Sequence, residues 1–369
     1  MENYKELLSP LNTEHFKLKN KVVMAPLTRS RSTAEHIPTD IMIQYYGERA
    51  GAGLIITEGT SPSLNGVGYP RIPGIYSREQ VKAWTPVATA VQKNGGKIFM
   101  QLMHSGRISH PDNMSDDAIV FAPSAIRPEE TKMYVDGKGE LPIPEPTAMS
   151  VEDIEHTIEE YVIAAKNAIE AGFDGVEVHS ANGYLLDQFL NTGTNKRDDN
   201  YGGSVENRCR FTLEVTERVV AALGKEKVGI RLSPNGEMND LGPFDSQKET
   251  FDYLSAKLEE IAPVYIHLVN HESMGAPGLP ADIKKNIRDR FSGLLILSGG
   301  YDAAKANEDL IDKKGDLVAF GRNFIANPDL VKRFEENASL NEPNPDTFYT
   351  PGKEGYIDYP TLEEQKDNA

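Results

Sequence analysis

Cysteine is almost absent from this chain of 369 residues, which holds a single one, Cys209. One cysteine cannot form a disulfide within the chain, so the sequence gives no sign of an oxidising compartment. It also excludes an iron–sulfur cluster, because such clusters take several thiolates from the protein. Cys209 lies in a run with helical periodicity, and we interpret it as an inert packing residue.

Long apolar runs and an excess of basic residues are also lacking. No apolar stretch approaches the ~18 residues of a membrane-spanning helix, and the N-terminal MENYKELLSP has no basic segment followed by an apolar one. The 39 lysines and arginines face 56 aspartates and glutamates, a formal net charge of −17, which argues against a nucleic-acid-binding surface. We therefore expect a cytoplasmic protein that binds a small molecule and associates with neither nucleic acid nor a membrane.

What the chain does contain is an alternation of short β-branched runs and longer amphipathic ones. The predicted strands are Lys21–Leu27, Leu54–Gly59, Lys97–Met103, Gly175–His179, Val228–Ser233, Val264–Val269, Leu294–Gly299 and Leu317–Gly321. The predicted helices are Thr39–Ala50, Ser77–Asn94, Val151–Ala171, Val205–Leu223, Gln247–Ile261, Ala281–Phe291, Asp302–Lys313 and Asn327–Glu336. This order predicts an α/β fold, a (β/α)8 TIM barrel that forms one domain over residues 1–369. The competing interpretation is an open doubly wound sheet, although no G-x-G-x-x-G turn follows the first strand.

One segment interrupts the alternation. Residues 104–150 lie between the third strand and its helix, and the part of this segment at His110–Thr147 is rich in proline, glycine and aspartate. A loop of this length in a compact domain is usually a lid or an insertion that builds a site. We therefore expect an excursion after the third strand that covers part of the functional site.

The functional groups of a parallel barrel lie at the carboxyl ends of its strands. Ser298, Gly299 and Gly300 follow the seventh strand, and Gly321 and Arg322 follow the eighth. Barrels frequently bind phosphate at this place, where backbone N–H groups and a guanidinium can hold an anion. The alternative is that the glycines only form tight turns and that Arg322 pairs with an acidic residue.

A polar cluster follows the fourth strand. His179 and Asn182 can donate hydrogen bonds to a carbonyl oxygen and so draw electrons from a conjugated C=C bond. The phenol of Tyr184 could then protonate the neighbouring carbon. A structural role for His179 stays equally open from the sequence. No H-E-x-x-H motif occurs and no carboxylate adjoins the histidine, so we expect no metal.

Arg231 is the only charged residue inside the otherwise apolar fifth strand. A buried arginine needs an anionic or electron-rich partner. That partner is either an acid in a core salt bridge or a reduced flavin ring, whose negative charge develops near N1. Gln101 and Thr28, at the ends of the third and first strands, would suit hydrogen bonds to such a ring, although backbone groups could satisfy them equally.

These motifs together resemble the Old Yellow Enzyme family of FMN-dependent oxidoreductases over nearly the whole chain. The segments that carry the resemblance are MAPLTR, GAGLIITEGT, QLMHSGRISH, AGFDGVEVHSANGYLLDQFLN, RDDNYGGSVENRCRF and FGRNFIANPDL. The resemblance implies non-covalent FMN, NADPH or NADH as the hydride donor, and ping-pong hydride transfer to the β-carbon of α,β-unsaturated carbonyl or nitro compounds. It also implies a monomer or a weak homodimer.

The resemblance further assigns roles to individual residues. The flavin ring and ribityl chain would contact Pro26, Thr28, Gly59, Gln101 and Arg231. The phosphate would bind to Ser298, Gly299, Gly300, Gly321 and Arg322. His179 and Asn182 would bind the substrate's oxygen, Tyr184 would donate the proton, and Tyr69, Met103 and Tyr349 would form pocket walls. Many relatives carry tryptophan at the position of Met103, so a wider pocket is expected on that side.

Two other functions stay open from the residues alone. A flavin-free lyase or isomerase would use the phosphate site for its substrate and would be colourless. A sensor would bind flavin that neither nicotinamide reduces. The intact set of His179, Asn182 and Tyr184 argues against the sensor.

Overall fold

Eight parallel strands close into a barrel, which confirms the predicted (β/α)8 fold. This is a computed structural model, and it describes residues 4–14 and 16–367. The barrel strands are Val22–Met24, Leu54–Ile56, Ile98–Leu102, Gly175–Ser180, Val228–Leu232, Tyr265–Val269, Leu294–Ser298 and Leu317–Phe320. Each strand pairs with the next one along the chain, and the eighth pairs with the first. Closure leaves the barrel sheet itself without a free strand edge.

Helices cover the outside of the barrel. Eight of them correspond to the predicted helices, and the structure places these eight at Asp40–Glu48, Arg78–Lys93, Val151–Glu170, Val205–Leu223, Gln247–Ile261, Ala281–Arg290, Ala303–Ile311 and Leu330–Glu336. Among residues 4–14 and 16–367, three short α-helices were not predicted, namely Leu185–Leu190, Arg322–Ala326 and Leu362–Asp367. They are too short to show a helical period in the sequence. In the part of the chain that the structure describes, no helix is long and apolar enough to cross a membrane.

The barrel interior is apolar at the amino ends of the strands. Val23, Leu54 and Ile296 pack there with Phe99 and with Phe16, which comes from the segment before the first barrel strand. The rings of Phe16 and Phe99 meet edge to face with centroids 5.8 Å apart. This packing closes the amino end of the barrel, so the carboxyl end is left for function.

The excursion after the third strand contains two small two-stranded sheets. Phe121–Ala122 pairs with Thr147–Ala148, and Lys132–Val135 pairs with Gly139–Pro142. Met133 of the second sheet and the nearby Ile143 pack in one apolar cluster with Met103 and Tyr184. The excursion therefore reaches the carboxyl end of the barrel on the side where the third and fourth strands finish.

Candidate active site

A cavity of about 790 Å³ lies at the carboxyl ends of the barrel strands. All but one of the site residues predicted from the sequence line it. These are Pro26, Thr28, Gly59, Gln101, Met103, His179, Asn182, Tyr184, Arg231, Ser298, Gly299, Gly300, Gly321, Arg322 and Tyr349. The volume falls within the range of small-molecule and cofactor sites, about 300–1,000 Å³.

One end of the cavity is built from the loops after the seventh and eighth strands. Gly299 and Gly300 have φ values of 124° and 68°. A Cβ on Gly299 would stand 2.1 Å from the carbonyl oxygen of Asn270, so no other residue fits without a backbone shift. Arg322 is exposed and forms no ion pair within the described residues. Its pairing with an acid, the alternative left open by the sequence, is therefore not what the structure has.

Arg231 reaches the cavity from inside the barrel. It is 8% exposed, and its Nε is buried without a hydrogen-bond partner in the described chain. Burial lowers the pKa of its guanidinium, and the negative charge of Glu177 acts in the opposite direction. Arg231 forms no core salt bridge, because no described carboxylate lies within ion-pair distance of its guanidinium. The guanidinium therefore remains available to an electron-rich ligand.

The side-chain amide of Gln101 hydrogen-bonds to another side chain and not to backbone groups. Its Nε2 donates a hydrogen bond of 2.8 Å to Oε1 of Glu177. The other carboxylate oxygen of Glu177 lies 2.9 Å from Nδ1 of His267. Both Glu177 and His267 are fully buried. Neither was assigned a role from the sequence, although each is a polar residue in an inward-facing strand position.

The substrate side of the cavity holds His179, Asn182 and Tyr184. The rings of His179 and Tyr184 lie with centroids 5.3 Å apart. Burial lowers the pKa of His179 well below its ordinary value, and the positive charge of Arg231 acts in the same direction. Burial raises the pKa of Tyr184. At neutral pH the site therefore presents a neutral imidazole and a protonated phenol.

Hydrogen bonds to the buried carboxyl group of Asp187 stabilise the turn that carries Asn182 and Tyr184. Oδ2 of Asp187 accepts a hydrogen bond of 2.9 Å from the backbone N–H of Gly183 and one of 3.4 Å from Oγ of Ser233. Ser233 Oγ in turn accepts from the backbone N–H of Asn182 at 2.7 Å. Burial raises the pKa of Asp187 to about 7. Asn182 has a φ of 61°, and its Oδ1 is buried with no partner in the described residues.

Tyr69 is the predicted residue that does not line the cavity. Its hydroxyl lies 3.0 Å from the hydroxyl of Tyr184, and either oxygen can be the donor. Burial raises the pKa of Tyr69 well above the ordinary phenol value. The structure thus places Tyr69 behind Tyr184, in contact with the candidate proton donor.

Met103 packs directly over Gly59. A Cβ on Gly59 would stand 2.4 Å from Sδ of Met103. Two residues predicted separately from two strand ends are therefore coupled, because this position of the methionine requires glycine at residue 59.

Several lining residues were missed, and Phe348 is the most distant in sequence from the barrel strands. Its backbone carbonyl accepts hydrogen bonds from Nε of Arg29 at 3.1 Å and from Nη1 of Arg31 at 2.8 Å. These two buried arginines hold the C-terminal segment that places Phe348 and Tyr349 at the cavity. The pair of arginines in LTRSRS was the one sequence signal for this anchor, and it did not identify its partner. The other missed residues include Met238, Asn270, His271, Ser273, Met274, Tyr301 and Asp302.

Comparison with known proteins agrees with this geometry. The profile of the NADH:flavin oxidoreductase / NADH oxidase family matches residues 6–341. The chain belongs to this family. It is 42% identical to the putative 12-oxophytodienoate reductase 3 of Oryza sativa subsp. japonica, over 98% of this chain and 94% of the relative. It is 41% identical to a probable flavin mononucleotide-dependent alkene reductase of Leishmania infantum, over 96% and 97% of the two chains.

Solved structures give the same result. Morphinone reductase superposes with a TM-score of 0.94 at 43% identity, and 98% of each chain is covered. The old yellow enzyme homologue from Zymomonas mobilis superposes with a TM-score of 0.91 at 40% identity, over 97% of this chain and 100% of the homologue. A structure of morphinone reductase in complex with tetrahydroNAD is also similar, with a TM-score of 0.91 at 44% identity over 96% and 97% of the chains. The resemblance that the motifs indicated is confirmed, and with it the FMN-dependent oxidoreductase chemistry.

Proposed function

We propose that this protein is an FMN-dependent ene-reductase that transfers hydride from NADPH or NADH to activated C=C bonds of α,β-unsaturated carbonyl or nitro compounds. One observation carries the proposal. A single cavity brings together an anion cradle (Gly299, Gly300 and Arg322), an unpaired buried cation (Arg231) and a neutral donor set beside a protonated phenol. Each group suits a different part of a flavin or of its electron acceptor.

The residues of the cavity fit FMN in both charge and shape. The backbone of Gly299 and Gly300, with the guanidinium of Arg322, would hold the phosphate. Arg231, Gln101 and Thr28 would contact the ring, and the unpartnered Nε of Arg231 is the buried group that such a ring would satisfy. Bound FMN would supply the redox chemistry, which is hydride transfer between the reduced nicotinamide and the β-carbon of the substrate. Pro26, Gly59, Ser298 and Gly321 would complete the contacts.

His179 and Asn182 would bind the oxygen of the second substrate. Hydrogen bonds to a carbonyl or nitro oxygen draw electron density from the conjugated bond and favour attack at its β-carbon. Because the pKa of His179 is depressed, the ring acts as a neutral donor and does not hold a positive charge. Tyr184, which keeps its proton at neutral pH, would deliver it to the α-carbon.

We also propose roles for the excursion and for the residues around the substrate side of the cavity. The excursion at residues 104–150, within one domain over residues 1–369, would act as a lid, which the packing of Met133 and Ile143 against Met103 and Tyr184 supports. Met103 and Tyr349 would line the substrate channel, and Tyr69 would act through Tyr184. The protein would function as a monomer or weak homodimer, and its location would be the cytoplasm, in accord with a single cysteine that cannot form a disulfide within the chain.

The proposal is tested by identifying both the cofactor and the product. Denaturation of the purified protein should release FMN, identified by mass, in close to equimolar amount. NADPH or NADH should be consumed in the presence of 2-cyclohexenone, with cyclohexanone as the product. Flavin-free protein that converts a phosphorylated compound without nicotinamide would instead show a lyase or isomerase. Bound FMN that neither nicotinamide reduces would show a sensor.

A further inference from the structure

Glu177 and His267 form a buried pair one layer below the cavity. Both side chains are fully buried, and neither is among the residues that line the cavity. Oε2 of Glu177 lies 2.9 Å from Nδ1 of His267, and Oε1 accepts from Nε2 of Gln101 at 2.8 Å. Gln101 does line the cavity, so the pair reaches the site through it.

The hydrogen bonds fix the orientation of both partners of Glu177. An ionised carboxylate can only accept hydrogen bonds, so the proton of the His267 ring must lie on Nδ1. For the same reason the amide nitrogen of Gln101 faces the carboxylate, which leaves its Oε1 for a ligand. Nε2 of His267 is then an acceptor, and it is buried with no partner among the described residues.

Around the buried pair, Glu177 is the one negatively charged side chain and Arg231 the one positively charged side chain among the described residues of this layer. His267, Arg231 and Gln101 together hold the pKa of Glu177 below its ordinary value, against the effect of burial. Burial lowers the pKa of His267 and raises that of Tyr265, so both of these rings are neutral near pH 7. Arg231 pairs in register with His179 on one side and His267 on the other. The charge of Arg231 is thus opposed at a distance by Glu177 and not cancelled by a close ion pair.

We propose that Glu177 is a positioning residue that orients the amide of Gln101 and, by its charge, limits how strongly the cavity stabilises an anionic ring. The inference rests on the proposed function, because it concerns FMN in this cavity. Negative charge develops near N1 when a flavin is reduced, and nearby protein charges shift its reduction potential. Glu177, acting against Arg231, would keep the potential of the bound flavin low enough for it to pass hydride onward.

The charge is tested by Glu177→Gln in the FMN-loaded protein, with the midpoint potential measured by anaerobic dye-linked reduction. The substitution keeps the size of the side chain and removes its negative charge. The reduction equilibrium should shift at least tenfold toward reduced flavin, a rise of about 30 mV for a two-electron couple. Glu214→Gln, which makes the same formal change on an outer helix, should leave the potential unchanged. Equal potentials for the two variants would overturn the electrostatic role.

The orientation is tested without FMN, by 15N NMR of the His267 ring in the apo protein. The unsubstituted protein should show the Nδ1-protonated tautomer across pH 6–8, and Glu177→Gln should populate the Nε2-protonated one. An unsubstituted ring protonated at Nε2 would overturn the positioning role, even if the protein proved unable to bind FMN. Failure of FMN binding with the expected tautomer would count against the proposed function alone.

A conservative variant covers the case in which Glu177→Gln does not fold. Glu177→Asp keeps the charge, but its shorter side chain cannot reach both Gln101 and His267. The equilibrium constant for flavin reduction should then stay within threefold of its value in the unsubstituted protein. The affinity for FMN should fall at least tenfold. A tenfold shift of the equilibrium toward reduced flavin in this variant would contradict the proposal.

Discussion

The hydroxyl oxygens of Tyr69 and Tyr184 lie 3.0 Å apart, although 115 residues separate them in the chain. Burial raises the pKa of both phenols, so each keeps its proton at neutral pH and one donates to the other. Only Tyr184 reaches the cavity. The pair therefore has an inner member that can give a proton to a substrate and an outer member that supports it.

Tyr184→Phe should slow the oxidation of reduced enzyme by 2-cyclohexenone by about 10²–10⁴-fold, the usual contribution of a general acid. Flavin reduction by NADPH needs no proton from Tyr184 and should change less than threefold. Stopped-flow absorbance measures the two half-reactions separately. Tyr69→Phe, which removes the supporting hydroxyl alone, should slow the oxidative step less than Tyr184→Phe. Equal slowing of both half-reactions by Tyr184→Phe would remove it from the proton-donor role.

His179→Ala should weaken the binding of phenol, an analogue of the substrate oxygen, by about 2–10-fold, since a hydrogen bond between neutral partners contributes about 0.5–1.5 kcal/mol. Titration of the flavin spectrum with phenol gives the dissociation constant. His271 lines the same cavity but is not assigned to the substrate oxygen. His271→Ala is the matched control and should change phenol affinity less than His179→Ala. Unchanged affinity in His179→Ala would refute the assignment.

Arg322→Met should weaken FMN binding by about 10–150-fold, because a charge-assisted hydrogen bond to phosphate contributes roughly 1.5–3 kcal/mol. Quenching of FMN fluorescence on titration into apo protein measures this loss. Arg322→Lys keeps the charge without the forked donor geometry and should give an intermediate affinity. Arg127 is also exposed and lies outside the cavity. A loss in Arg127→Met as large as that in Arg322→Met would show a general charge effect and no specific phosphate contact.

Asp187 should make folding stability fall as pH rises. Burial raises its pKa from 3.8 to about 7 in the folded protein, so the folded state binds a proton that the unfolded state has lost. The contribution of Asp187 to the free energy of unfolding is therefore highest below about pH 4. It declines as the pH rises to about 7, by at most about 4 kcal/mol. Asp187→Asn removes this ionisation, so its stability relative to the unsubstituted protein should improve from pH 5 to pH 8.

Thermal unfolding at both pH values measures this difference. Asp309→Asn is the matched control, because the pKa of Asp309 is lowered to about 2 and the group stays ionised across pH 5–8. Its effect on unfolding temperature should be the same at the two pH values. A pH-independent effect of Asp187→Asn would contradict the raised pKa.

The barrel could be predicted from the sequence because its strands are buried on both faces and read as apolar runs between amphipathic helices. The element boundaries were set less exactly, as at Lys21–Leu27, where the paired strand covers only Val22–Met24. Polar residues at the carboxyl ends of strands pointed to the cavity for a related reason, since parallel strands bring these ends to one face.

Contacts between distant segments could not be predicted in this way. The hold of Arg29 and Arg31 on Phe348 spans more than 300 residues, and no local pattern marks it. Glu177 and His267 are polar residues in apolar strands, but the sequence does not show which of them face each other across the barrel. Tyr69 was predicted to form a pocket wall, and the sequence did not show that it lies outside the cavity, in contact with Tyr184.

The visible spectrum of the purified protein under anaerobic conditions shows whether this chain is an FMN-dependent ene-reductase. We expect a yellow protein that bleaches when NADPH is added and regains its colour when 2-cyclohexenone follows. These two colour changes, in that order, would establish the flavin, the order of the two substrates and the reaction class in one titration. A protein that stays colourless after FMN is supplied would show that the cavity does not bind a flavin.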